Sequence, residues 1–151
     1  MSDTFHASCM CGAVTIETGH PDSVFHCHCE SCRRSTGQPL VTFASFGADQ
    51  VAFSGTERKT YNSSAGVCRT FCPDCGTPLA WEGYSRSQGK DLVELYIGLF
   101  AARDRMIPDH HVFYEERVPW FDVADGLPRY KGVSRSGLPM AHGPARRGLP
   151  G

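Results

Sequence analysis

A chain of 151 residues with 40% hydrophobic and 21% charged content has the balance of one globular domain, which excludes a disordered or membrane-embedded class. Fifteen basic against sixteen acidic residues, a formal net charge of -1, supply no field for recruiting a polyanion, so nucleic acid is not an expected partner. No run approaches the ~18 apolar residues of a membrane span, and the start Met-Ser-Asp-Thr-Phe-His lacks the features of a signal peptide. The expected location is therefore cytoplasmic, where eight cysteines point to metal binding or catalysis rather than to cross-links.

In chain order, Cys9-x-Cys11 precedes a strand expected over residues 13–18, where Val14 and Ile16 alternate with Thr15 and Glu17. Cys27-x-Cys29-x-x-Cys32 follows, with a short helical turn expected at residues 31–35. β-Branched and aromatic content predicts strands at 40–46, 51–53 and 58–61, separated by turn signals such as Gly47-Ala48-Asp49. Cys68 stands alone ahead of Cys72-x-x-Cys75. Further strands are expected at 79–81, 92–97 and 111–114, with a second helical turn around 100–105. Residues 134–151 hold four Gly, three Pro, three Arg and no acid, a composition that packs little core. The expected organisation is one mainly β, zinc-binding domain over residues 1–133 and a Gly/Pro-rich tail over 134–151.

Zinc takes four ligands in a tetrahedron, and thiolate sulfur at ~2.3 Å is a common one. Cys72-Pro73-Asp74-Cys75-Gly76 has the form of a ligand-bearing turn, and Gly76 can adopt the positive φ needed after the second sulfur. Its natural partner is Cys9-Met10-Cys11-Gly12, which gives a closed four-cysteine structural site and leaves the triple cluster intact. Cys27, Cys29 and Cys32 then offer three thiolates, and a fourth position left open marks a reactive site. Closure by His6, His26, His28 or another thiol is the alternative. Cys68 has no pair at zinc spacing and reads as a small buried hydrophobe.

The ordered run Cys9-x-Cys11-Gly12, Cys27-His28-Cys29-x-x-Cys32-Arg33-Arg34-x-Thr36-Gly37 and Arg69-x-Phe71-Cys72-x-x-Cys75-Gly76-Thr77 resembles the glutathione-dependent formaldehyde-activating enzyme family, which also contains centromere protein V. Gly55, Tyr61, Ser63-Ser64, His110-His111, Trp120 and Leu127-Pro128 extend the resemblance to about residue 130. The resemblance implies an Mss4-like β-tent of two small antiparallel sheets stapled by zinc. It implies a structural zinc on Cys9, Cys11, Cys72 and Cys75 and a catalytic zinc on Cys27, Cys29 and Cys32. The activity it implies is a carbon–sulfur lyase or synthase joining a small-molecule thiol, glutathione or similar, to a small aldehyde such as formaldehyde. In that chemistry Arg33 or Arg34 would meet a ligand carboxylate, and His28 or His26 would shuttle a proton. The rival reading is a non-enzymatic zinc-stapled β module that binds a protein or small ligand. No residue pattern fixes an oligomeric state.

Overall fold

The computed structural model describes residues 3–133 and the backbone of 139–140. In chain order the strands are β1 (Phe5–Ser8), β2 (Val14–Thr18), β3 (Ser23–Cys27), β4 (Val41–Gly47), β5 (Val51–Gly55) and β6 (Lys59–Ser64). Then come β7 (Val67–Phe71), β8 (Pro78–Ser85), β9 (Lys90–Tyr96), β10 (His110–Val112), β11 (Arg129–Tyr130) and β12 (Pro139–Met140). The one α-helix among the described residues, α1, spans Glu30–Thr36. Contacts divide the chain into two compact units, Met1–Val24 with Phe43–Ile107 and Phe25–Thr42 with Pro108–Gly151. The division falls inside β3 and inside β4.

In the first unit, β1 and β2 bury every second residue, and β1, β2 and β5 form an antiparallel sheet in that order. The alternation of Val14 and Ile16 with Thr15 and Glu17 gives one buried and one wet face. Gly55 closes this sheet at φ +85, and a Cβ there would lie 2.1 Å from the Ala13 carbonyl oxygen. Only glycine fits that approach, which lets the Thr56 N–H donate to Ala13 O at 2.8 Å. A second antiparallel array runs β4, β9, β8, β7, β6. From Phe43 onward β4 is buried on both faces, whereas β6 is exposed along its whole length, as an edge strand of Lys, Thr, Asn and Ser can be. Phe5, Ile16, Phe46, Leu79, Leu95 and Phe100 anchor the core, and Cys9 and Cys72 belong to it.

The second unit is built differently. Phe25–Cys27 of β3 pairs in parallel with β10, which sets His26 opposite His111 and Cys27 opposite Val112. The other edge of β10 pairs in parallel with β11 (His111 opposite Arg129), and β12 adds antiparallel to β11. The helix α1 is capped by Cys29, which is extended at φ -64, ψ 148, and by Gly37, whose φ of 74 lets its N–H reach Arg33 O at 2.7 Å.

The fold is mainly β and consistent with the Mss4-like architecture; the first unit has the expected antiparallel sheets and the second adds parallel pairing. The strand expected at 111–114 is instead His110–Val112, because Phe113 takes φ 52 and turns the chain into a 3-10 turn at Tyr114–Glu116 that buries Tyr114. Likewise Ile97 leaves β9 for a 3-10 turn, and the helical turn expected at 100–105 is confined to Arg103–Arg105. The tail expected over 134–151 lies outside the described residues except for the backbone of β12.

Candidate metal centres and a buried histidine chain

Cys9, Cys11, Cys72 and Cys75 converge in the first unit, their sulfurs all within 4.8 Å of one another. Two tight turns of the same form deliver them. Gly12 N–H bonds Cys9 O at 3.1 Å and Gly76 N–H bonds Cys72 O at 2.9 Å, with both glycines at positive φ. The Cys9–Cys11 and Cys11–Cys72 sulfur separations are 3.6 and 3.8 Å. Four thiolates around tetrahedral zinc stand ~3.8 Å apart, so the donor set fits that ion.

Electrostatics agree. Cys11 receives a lowering backbone hydrogen bond from Ala13, yet burial and the thiols of Cys75, Cys9 and Cys72 push it up to about 12. Cys75 falls to about 5, held by the Thr77 hydroxyl, 3.0 Å from its sulfur, and by the Thr77 backbone. Four thiolates this close would repel one another, and a divalent cation among them offsets that repulsion. The Val14 N–H, 3.3 Å from the Cys9 sulfur, steadies one thiolate from the backbone.

Cys27, Cys29 and Cys32 converge in the second unit, again within 4.8 Å. Cys27 ends β3, Cys29 caps α1, and Cys32 lies one turn into the helix, its N–H 3.3 Å from the Cys29 sulfur. The Cys27–Cys32 sulfur separation is 3.7 Å, which also suits zinc. Cys27 and Cys32 are buried and Cys29 is half-buried, so the group is approached from the Cys29 side. Contact with the other two thiols, burial adding to it, raises the Cys27 thiol well above its usual value. Among the described residues no histidine nitrogen or carboxylate joins this triad at ligand spacing.

His28 sits between two of these cysteines and is fully buried. Its Nε2 lies 2.8 Å from His111 Nδ1, and His111 Nε2 lies 3.0 Å from Asp125 Oδ2. Asp125 Oδ1 accepts from Arg129 Nη1 at 2.7 Å, and Arg129 also donates to Leu127 O and Val123 O. Asp122 joins this cluster by accepting from the Tyr114 hydroxyl at 2.5 Å. Burial, with His111 nearby, lowers His28 to about 3; burial with the same neighbour lowers His26 to about 4. Burial also depresses His111 against the pull of Asp125. All three rings are neutral near pH 7.

The sequence-predicted substrate residues have visible engagements. Arg33 donates to His28 O at 3.1 Å and Glu116 O at 2.9 Å, while Arg34 is exposed with Glu30 at 3.9 Å. His26 pairs with the Thr42 hydroxyl at 2.8 Å. Cys68 lies on β7, half-buried, its thiol on Asn62 Oδ1 at 3.0 Å, apart from both cysteine groups.

Sequence reasoning assigned no role to Asp125 or Arg129 and took Tyr114 only as the end of the strand expected at 111–114. Their signal is the parallel register of β10, which no local pattern reveals. His26, His111 and Asp125 also lie within 4.8 Å of one another as possible ligands, but Arg129 already occupies the Asp125 carboxylate.

Comparison with known proteins adds an independent line. A family model described as glutathione-dependent formaldehyde-activating enzyme matches residues 4–116. A protein named an uncharacterized lyase, from Schizosaccharomyces pombe (strain 972 / ATCC 24843), is 25% identical over 122 residues, covering 80% of this chain and 86% of its own length. The family match includes both cysteine groups and His111, and it ends before Asp122, Asp125 and Arg129.

Proposed function

The chain belongs to the glutathione-dependent formaldehyde-activating enzyme family, which with its lyase-named relative makes it a lyase-type enzyme at that level, and we propose that it joins a small thiol to a small aldehyde at Cys27, Cys29 and Cys32. Glutathione and formaldehyde are the proposed pair, giving S-(hydroxymethyl)glutathione, with the lyase direction as the reverse. The observation that carries this reading is the three-sulfur group, two sulfurs buried and one half-buried, with no fourth protein donor at ligand spacing among the described residues.

In this reading Cys9, Cys11, Cys72 and Cys75 hold a structural zinc, and Cys27, Cys29 and Cys32 hold a second one. When bound there, zinc supplies a centre that lowers the pKa of an incoming thiol and holds its sulfur near the aldehyde. The chain's own residues do the rest. The half-buried Cys29 side admits substrate, while the buried flank of Cys27 and Cys32 keeps water away. Arg34, exposed on α1, supplies a guanidinium for a thiol substrate's carboxylate; Arg33 is already bonded to two carbonyls and shapes the loop instead. His28, deep in the unit, orients the loop rather than meeting substrate. In the reaction a C–S bond forms as the carbonyl π bond opens, and the thiol proton ends on the new hydroxyl.

The test is exchange NMR on metal-replete protein with glutathione and formaldehyde. Exchange between free aldehyde and thiol adduct should accelerate in proportion to protein and return to background in Cys29→Ser. Background exchange with a protein carrying two metal equivalents would reject the activity and favour a non-catalytic zinc module.

A further inference from the structure

We propose that His111 and Asp125 are positioning residues of the three-cysteine loop, which fix the tautomer and orientation of His28 between two of the ligands. The inference rests on reading Cys27, Cys29 and Cys32 as metal ligands, though not on which reaction follows. Asp125 is ionised: burial pulls its pKa up, but hydrogen bonds from His111 and Arg129 outweigh that and hold it below the usual carboxylate value. A carboxylate only accepts, so His111 Nε2, at 3.0 Å, carries the hydrogen. With the ring neutral, His111 Nδ1 is then bare, and His28 Nε2, at 2.8 Å, must donate to it. His28 Nδ1 is then the unprotonated nitrogen, and it is buried with no hydrogen-bond partner among the described residues. The chain of donors thus runs one way, from His28 through His111 to Asp125.

Its effect falls on the loop. His28 is tied at three points: its N–H to Val112 O at 3.1 Å, its carbonyl to Arg33 Nε at 3.1 Å, and its ring to His111. The residues on either side of it are Cys27 and Cys29. A residue held by backbone and ring leaves its neighbours little freedom, so sulfur positions are set before a metal arrives. Outer partners of metal sites act this way, and their loss weakens metal binding ~10–100-fold. Asp125 and Arg129 lie beyond residues 4–116, the span that the family model matches, whereas His111 lies within it.

Asp125→Asn is the discriminating substitution. Arg129 donates to Asp125 Oδ1, so the amide keeps its oxygen there and turns its NH2 toward His111. His111 Nε2 must then accept, its hydrogen moves to Nδ1, and His28 is driven to the Nδ1–H form, a buried donor with no acceptor that disfavours the ring's present seat and so loosens the loop. The experiment is tautomer-sensitive ¹H–¹⁵N NMR of histidine-labelled protein, with ¹¹³Cd NMR reporting each cysteine group separately. The expected result is Nε2–H at both His28 and His111 in the parent protein and a switch in Asp125→Asn. Cadmium should bind ~10–100-fold more weakly at the three-cysteine group and unchanged at the four-cysteine group, with Asp125→Glu restoring both signals.

Nδ1–H at His28 in the parent protein would overturn the proposal, and so would a tautomer switch that leaves cadmium binding untouched. A third cadmium held by His26, His111 and Asp125 would overturn it too. Should Asp125→Asn fail to fold, the parent tautomers and the Asp125→Glu protein decide. If the thiol–aldehyde assay fails while the cadmium effect holds, the catalytic reading falls and the positioning role stands.

Discussion

The two cysteine groups use the same sulfur spacing but are held in different ways. In the first unit, four thiols come from two glycine-ended turns, and two of them, Cys9 and Cys72, are part of the hydrophobic core. In the second unit, three thiols come from a strand end and a helix start, and the residue between two of them is tied into a buried polar chain. On the proposed assignment, the first arrangement would make metal and core one cooperative object. The second keeps two of its sulfurs buried but outside that hydrophobic cluster, beside hydrogen bonds that orient their loop. A closed site embedded in packing suits stability, whereas a three-ligand site oriented by polar contacts suits chemistry that must admit and release a substrate.

Substitutions can break this contrast. Cys72→Ser, which removes a ligand at a fully buried core position, should leave the first unit unfolded or lower its melting temperature by tens of degrees, read by calorimetry. Cys29→Ser should be far milder, giving a folded protein that has lost one metal equivalent and its thiol–aldehyde activity. Equal unfolding of the two variants would erase the distinction between the groups.

Acidification sharpens the same contrast with a smaller effect. His111 is depressed by burial below its unfolded value, so the unfolded chain takes up the proton first. The stability it contributes is fully present above about pH 6.5 and declines as pH falls below that. Asp122 and Asp125 are also depressed, despite burial, by Tyr114 and Arg129 and by His111 and Arg129 respectively. Their contribution is lost only below about pH 4. Hydrogen-exchange protection of residues 110–130, corrected for intrinsic rates, should therefore fall between about pH 6.5 and 5 relative to that of β8 and β9. Equal change in both places would contradict the assignment of the buried histidines to the second unit.

Much of the cysteine framework was legible because sulfur spacing is a local signal: Cys72-x-x-Cys75-Gly76 announces its turn, and Gly76 adopts the positive φ its position requires. The strand β2 was legible for a similar reason, since Val14 and Ile16 alternate with polar neighbours. β3 and β7 were not anticipated, because their residues sit inside or against the cysteine motifs and carry a mixed pattern. β4 was placed without its burial, since a strand covered on both faces has no alternation to read. The polar chain was the least legible part. Asp125 lies in the run Asp122-Val-Ala-Asp-Gly-Leu-Pro, which looks like a solvated turn, and Arg129 follows it as the first residue of β11. Only the parallel pairing of β10 with β3 and β11 brings Asp125 to His111, and through that ring links Asp125 and Arg129 to His28.

The most direct test of the account is an anomalous-difference map at the zinc edge from crystals of metal-replete protein. It should show two peaks per chain, one inside the sulfurs of Cys9, Cys11, Cys72 and Cys75, the other on Cys27, Cys29 and Cys32 with its fourth ligand supplied by solvent or an added thiol. A single peak, or a protein side chain filling the fourth position of the second ion, would contradict it.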